Sequence, residues 1–151
     1  MTTGTDELTI RDVLAQMDDG WTEFQAHVHA LPGEKLEARL GEGAWTRKQM
    51  LAHITTWHEL SVERLARFAE SGEPSGLEEE TDSINARAAR GAVGRTTGEV
   101  LLSVQESYRH LRREVSRLTD AQLDAHDGWA AATIAGNTYG HYDEHLADLD
   151  V

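Results

Sequence analysis

Apolar residues return along this chain at the three- and four-residue steps of an α-helix, in four long runs separated by breaks rich in glycine, proline and acid. The first run is Ile10, Leu14, Met17, Trp21, Phe24, Val28 and Leu31. Its steps alternate four and three throughout, a heptad that predicts a helix from about Asp6 to Ala30. Asp6 and Glu7 fall in the first turn, where they favour the positive end of the helix dipole. Leu31-Pro32-Gly33 ends the helix, and His27 and His29 in its last turn read as solvated side chains.

Residues 34–45 read as a connection. Thr46 with Gln49 three positions later is a capping box that opens the second helix, and Trp45 is placed to staple to Met50. Leu51, Ile54, His58, Ser61, Leu65 and Phe68 share one stripe; Met50, His53, Trp57 and Leu60 form a second beside it. So wide an apolar arc predicts neighbours on two sides. His58 lies at the stripe centre and His53 at its edge, and periodicity does not choose between them for a functional role. Residues 71–95 break the pattern and predict a long surface crossover, with a short helix at Asp82–Arg90, lying over the mouth of a cavity. Its acidic run, Glu78–Glu80, reads as solvated.

A second box, Thr96 with Glu99, opens a third helix with Leu101, Val104, Tyr108, Leu111, Val115 and Leu118 on its inner face. Arg109, Arg112, Arg113 and Arg117 read as surface charge on its outer face, and Tyr108 as a core residue whose hydroxyl needs a partner. Thr119 with Gln122 caps a short turn, and Gly128-Trp129 leads into the fourth helix, where Trp129 is placed to wall a pocket. In that helix, over Thr133–Leu149, the buried stripe is Ile134, Thr138, His141, His145 and Leu149. Four amphipathic helices, no strand signal and a long second crossover predict an all-α four-helix bundle of one domain spanning residues 1–151.

Composition narrows the chemistry. There is no cysteine, which removes disulfides, thiolate ligands and a cysteine nucleophile. The net charge of −13 repels phosphate backbones and anionic lipid, so neither nucleic acid nor membrane is an expected partner. No basic leader or membrane-length apolar run is visible, and a cytoplasmic location is the expectation. The oligomeric state is open between monomer and homodimer.

His141 and His145 stand four apart on one helical face, the bite one metal ion takes from two ligands. Chance gives roughly 0.4 such pairs in a chain of this histidine content, so the spacing is weak evidence by itself. Its place on the buried stripe adds weight, since buried imidazoles need partners for their ring nitrogens. Two hydrogen-bonded core histidines and a metal site remain equal readings of this helix. A third histidine from the second helix would complete a three-imidazole facet with open positions.

The stretches WTRKQMLAHITTWHE, an isolated Asn85 and GNTYGHYDEHLADL resemble the DinB-like four-helix bundles over essentially the whole chain. More narrowly they resemble the branch that includes the colibactin self-resistance cyclopropane hydrolase. In DinB-like metalloproteins one histidine of helix two and an HxxxH pair of helix four bind a divalent metal, often zinc or nickel. The resemblance thereby selects His53 as the partner of His141 and His145. Members of the self-resistance branch can lack the triad; this chain has that branch's Asn137-Thr138 and keeps all three histidines. Another branch uses the metal to activate a low-molecular-weight thiol such as mycothiol.

The resemblance implies a small-molecule-modifying enzyme that detoxifies reactive electrophiles by hydrolysis, with metal-activated water as nucleophile. His58 or Tyr142 would move protons, and Trp57, Trp129 and Asn137 would line the substrate site. The alternatives are a metal-dependent transferase or isomerase using a thiol cosubstrate, and a non-enzymatic protein that sequesters a toxic small molecule.

Overall fold

The computed structural model describes residues 8–41 and 44–149. Among these residues the chain is all-helical, with seven helices rather than the expected four and no strand. They are α1 (Ile10–His29), α2 (Gly33–Glu37), α3 (Arg47–Ser71), α4 (Thr81–Ala92), α5 (Thr97–Ser116), α6 (Asp120–Asn137) and α7 (Tyr139–Leu149).

Local signals set most starts. Thr46, Thr96 and Thr119 each accept from the backbone N–H three residues on, while the side chain there accepts from the threonine N–H. The first helix shows the same device one residue ahead of its start: Thr9 caps α1, with Asp12 answering. The sequence reading missed that box and placed the start too early: Thr9 is extended (φ −107°, ψ 162°), so the helix begins at Ile10 rather than about Asp6, while Asp6 and Glu7 themselves lie outside the described residues. Replacing Thr46 with alanine removes the acceptor for the Gln49 N–H at 3.1 Å. Thr46→Ala is expected to cost about 1 kcal/mol of stability, read as a lower denaturation midpoint with unchanged helical content.

Side-chain pairs fix the helix directions. Phe24 stacks on Tyr142 and Gly20 approaches Tyr139, so α1 and α7 run the same way. Lys48 reaches the Arg95 carbonyl, His58 meets Ser107 and Glu59 meets His110, so α3 and α5 also run parallel to each other. Arg47 beside Asp148 sets the two pairs antiparallel. Two parallel consecutive long helices need a crossover, and residues 72–96 supply it with α4. Val13, Met17, Phe24, Leu51, Ile54, Leu65, Phe68, Leu111 and Ile134 fill the shared core. Val13 takes a place assigned to Ile10 and Leu14, which are only half-buried.

Three further expectations change. The connection after α1 contains the short α2, which buries Leu36. Arg112 is not plain surface charge: its guanidinium grips both carboxylate oxygens of Asp18 at 2.8 Å, and Tyr108 donates its hydroxyl to the same carboxylate. The continuous helix expected over Thr133–Leu149 is broken at Thr138 (φ −126°, ψ −108°). There the Thr138 hydroxyl bonds the Ile134 carbonyl and the Asn137 carboxamide bonds the Thr133 carbonyl. Side chains thus take carbonyls that helix N–H groups would have filled. The restart is tight, since a Cβ at Gly140 would stand 2.8 Å from the Ala135 carbonyl oxygen.

Candidate metal centre

The Thr46 cap sets the first turn of α3 and places His53 on the second, facing the start of α7. The restart after Thr138 aims His141 and His145, one turn apart, back at it. The three rings form a closed set, with centroids 4.8 Å apart for His53–His141, 5.3 Å for His53–His145 and 4.8 Å for His141–His145. One ligand atom from each lies within 4.8 Å of the others. His53 and His141 are buried, while the His145 side chain is 21% exposed and forms the accessible edge.

The donor chemistry suits a divalent cation. Burial, helped by the neighbouring His145, lowers the His53 pKa to about 4. Burial, with His53 and His145 adding, lowers His141 to about 3. Both imidazoles are therefore neutral near pH 7, the form a metal needs. His53 Nε2 and His141 Nε2 stand 2.9 Å apart. Two bare nitrogen lone pairs at that distance repel, so the gap calls for a proton or a cation. His141 Nδ1 is buried without a hydrogen-bond partner among the described residues, so hydrogen bonding there leaves this cluster unsatisfied.

A family model described as the DinB superfamily matches residues 16–148, a span that contains all three histidines. The chain belongs to the DinB superfamily. No curated protein and no solved structure matches it. Members of this superfamily often bind metal, in keeping with the donor set here.

Beneath the triad of this DinB-superfamily chain lies a second polar layer. His58 is fully buried, with Nδ1 at 2.7 Å from Ser107 Oγ and Nε2 at 2.6 Å from the Tyr142 hydroxyl. Ser107 gives its proton to the Val104 carbonyl, so it accepts from His58 Nδ1–H, and Tyr142 donates to His58 Nε2. Burial lowers the His58 pKa to about 3 and raises the Tyr142 hydroxyl well above its ordinary value. Both nitrogens of His58 are thus engaged inside the core. His58 and Tyr142 bond to each other rather than to the triad.

The remaining sequence-selected residues divide. Trp57 is beside the triad and donates its indole N–H to Asn85 Oδ1 at 2.7 Å. Trp45, expected as a staple to Met50, has its ring 5.4 Å from the His53 ring. Asn137 turns back onto its own helix through the Thr133 carbonyl. Trp129 stands apart from the triad: it packs on Phe68 at 5.1 Å beneath the Arg64 guanidinium. Phe68 is fifteen residues beyond His53, roughly 22 Å along α3.

Sequence reasoning assigned no site role to Asn85, Asp148 or Ser107. Asn85 Oδ1 lies 2.9 Å from His53 Nδ1, and Asp148 Oδ2 lies 2.8 Å from His145 Nδ1. Asp148 was findable, three residues after His145 on one helix face. Asn85 and Ser107 come from other elements, and no local spacing marks them.

Proposed function

We propose that this protein is a metal-dependent enzyme that modifies small molecules, detoxifying reactive electrophiles by hydrolysis as in self-resistance. The observation that carries the reading is the closed set of three imidazoles, of which burial holds His53 and His141 neutral at pH 7, with His145 giving onto solvent. A divalent cation such as zinc or nickel, held by His53, His141 and His145, would supply Lewis acidity, lowering the pKa of a nucleophile and polarising an electrophile.

The protein's own groups do the rest. Asp148 orients His145, and the Trp45 and Trp57 rings wall the site on the α3 side. His58 and Tyr142 act at one remove: the chain Tyr142–His58–Ser107–Val104 ties α7 to α3 and α5 and so holds His141 on target. The four-helix-bundle reading takes the part of α6 that follows its non-helical turn at 125–128, together with α7, as one broken helix. The resemblance of Asn137-Thr138, at the break, to the self-resistance branch favours a strained ring as the substrate class.

Incubating zinc- or nickel-loaded protein with an epoxide and an activated cyclopropane, with and without a low-molecular-weight thiol, tests this by mass spectrometry. Addition of water to the substrate without thiol is expected. Turnover only with thiol, giving the thioether, would replace hydrolysis with S-transfer. Stoichiometric binding with unchanged ligand recovered would leave sequestration as the function.

A further inference from the structure

The indole of Trp57 decides where the protons around His53 lie. An indole N–H can only donate, and this one meets Asn85 at 2.7 Å, so the carboxamide atom facing α3 is the oxygen. The same oxygen lies 2.9 Å from His53 Nδ1. An amide oxygen carries no proton to give, so His53 Nδ1–H donates to it. The neutral imidazole then has its lone pair on Nε2, the atom turned toward His141.

We propose that Asn85 is a positioning residue that locks His53 in its Nδ1–H form and so presents Nε2 as a ligand atom. The inference rests on the metal reading above and extends it to the crossover. Asn85 reaches His53 from 32 positions away because α4 lies along the start of α3. Gln49 donates to the Ala89 carbonyl at 3.2 Å, and Lys48 to the Arg95 carbonyl at 2.8 Å, which hold it there.

The other two imidazoles show how much the lock matters. Asp148 does the same for His145 with a carboxylate, which can only accept. His141 Nδ1 has no hydrogen-bond partner among the described residues. Two ligands are therefore preset by residues behind them, one from its own helix and one from the crossover, while the third has no such acceptor behind its Nδ1 among the described residues. Because cation binding requires the form of His53 that Asn85 selects, the docking of α4 and the binding of a cation stabilise each other.

Three proteins carry the test: wild type, Asn85→Leu, which removes the acceptor, and Asn85→Asp, which keeps one. In metal-free protein, nitrogen-15 correlation spectra of the histidine side chains are expected to show His53 as the Nδ1–H tautomer in wild type and Asn85→Asp. Asn85→Leu should show a mixture. Zinc titration is expected to show affinity weakened about 10- to 100-fold in Asn85→Leu and within a few-fold of wild type in Asn85→Asp. Zinc should also slow amide exchange in α4 of wild type but not of Asn85→Leu. A folded Asn85→Leu with the wild-type tautomer and affinity would overturn the proposal. So would an Asn85→Asp with the wild-type tautomer lost or affinity weakened about 10- to 100-fold against wild type, since the acceptor would then not be what matters; measured against wild type, this arm decides even if the leucine variant fails to fold. A wild type that takes up no zinc refutes the metal reading instead, and the tautomer spectra of the metal-free proteins still decide the role of Asn85.

Discussion

Metal-free protein is expected to lose a large part of its stability between pH 6.5 and pH 5, above the range in which carboxylates titrate. His58 is the clearest contributor. Burial, with His141 nearby, lowers its pKa in the folded state to about 3, against about 6.5 in the unfolded chain. Below pH 6.5 the unfolded chain takes up a proton that the folded one refuses. Stability from this group is therefore fully present above pH 6.5 and falls as pH drops toward the folded value. At pH 5 the loss from His58 alone is about 2 kcal/mol. His53 and His141 act in the same direction, because burial lowers them too. A domain of this size has only about 5–15 kcal/mol in total. Urea denaturation followed by circular dichroism at pH 7 and pH 5 is expected to show the midpoint falling steeply. A midpoint unchanged between these values would mean that the core histidines are not held neutral.

The second large effect is on cation binding. His53→Ala, His141→Ala and His145→Ala each remove one donor of three, and each is expected to weaken zinc affinity by more than the roughly 10- to 100-fold typical of an outer-sphere residue. His58→Gln is expected to leave zinc affinity within about tenfold of wild type while lowering stability, because His58 bonds Ser107 and Tyr142 rather than the triad. Wild-type protein with free zinc at a hundred times its dissociation constant should gain about 2.7 kcal/mol, and the triad variants should not. Zinc affinity surviving the loss of any one triad histidine would place the cation elsewhere.

The contrast between His53 and His58 shows what sequence could reach. Both sit on inward faces of α3, and both are buried, so periodicity marked the pair correctly and had no means of separating them. What separates them is how far along α3 each residue meets α7: His53 lies level with His141, and His58 reaches the hydroxyl of Tyr142. That register is a tertiary quantity, fixed by contacts such as Gly20 against Tyr139 and Arg47 against Asp148. Resemblance to known bundles supplied the choice of His53 because related chains carry the register implicitly. The helix starts at Thr46 and Thr96 were legible because a capping box is local. The break at Thr138 was not, since it depends on side-chain oxygen and nitrogen atoms competing for helix carbonyls within an otherwise regular stripe. That Trp129 meets Phe68 rather than the triad was illegible for a related reason: its position ahead of the last helix says nothing about which end of α3 it will meet.

Zinc K-edge X-ray absorption of protein loaded with one equivalent of zinc tests the central claim most directly. Three imidazole nitrogens at ~2.0–2.1 Å, completed by a lighter exchangeable ligand, are expected, with the imidazole signal diminished in His53→Ala. Zinc surrounded only by oxygen, or by imidazoles whose number does not change in His53→Ala, would contradict a metal centre built from His53, His141 and His145.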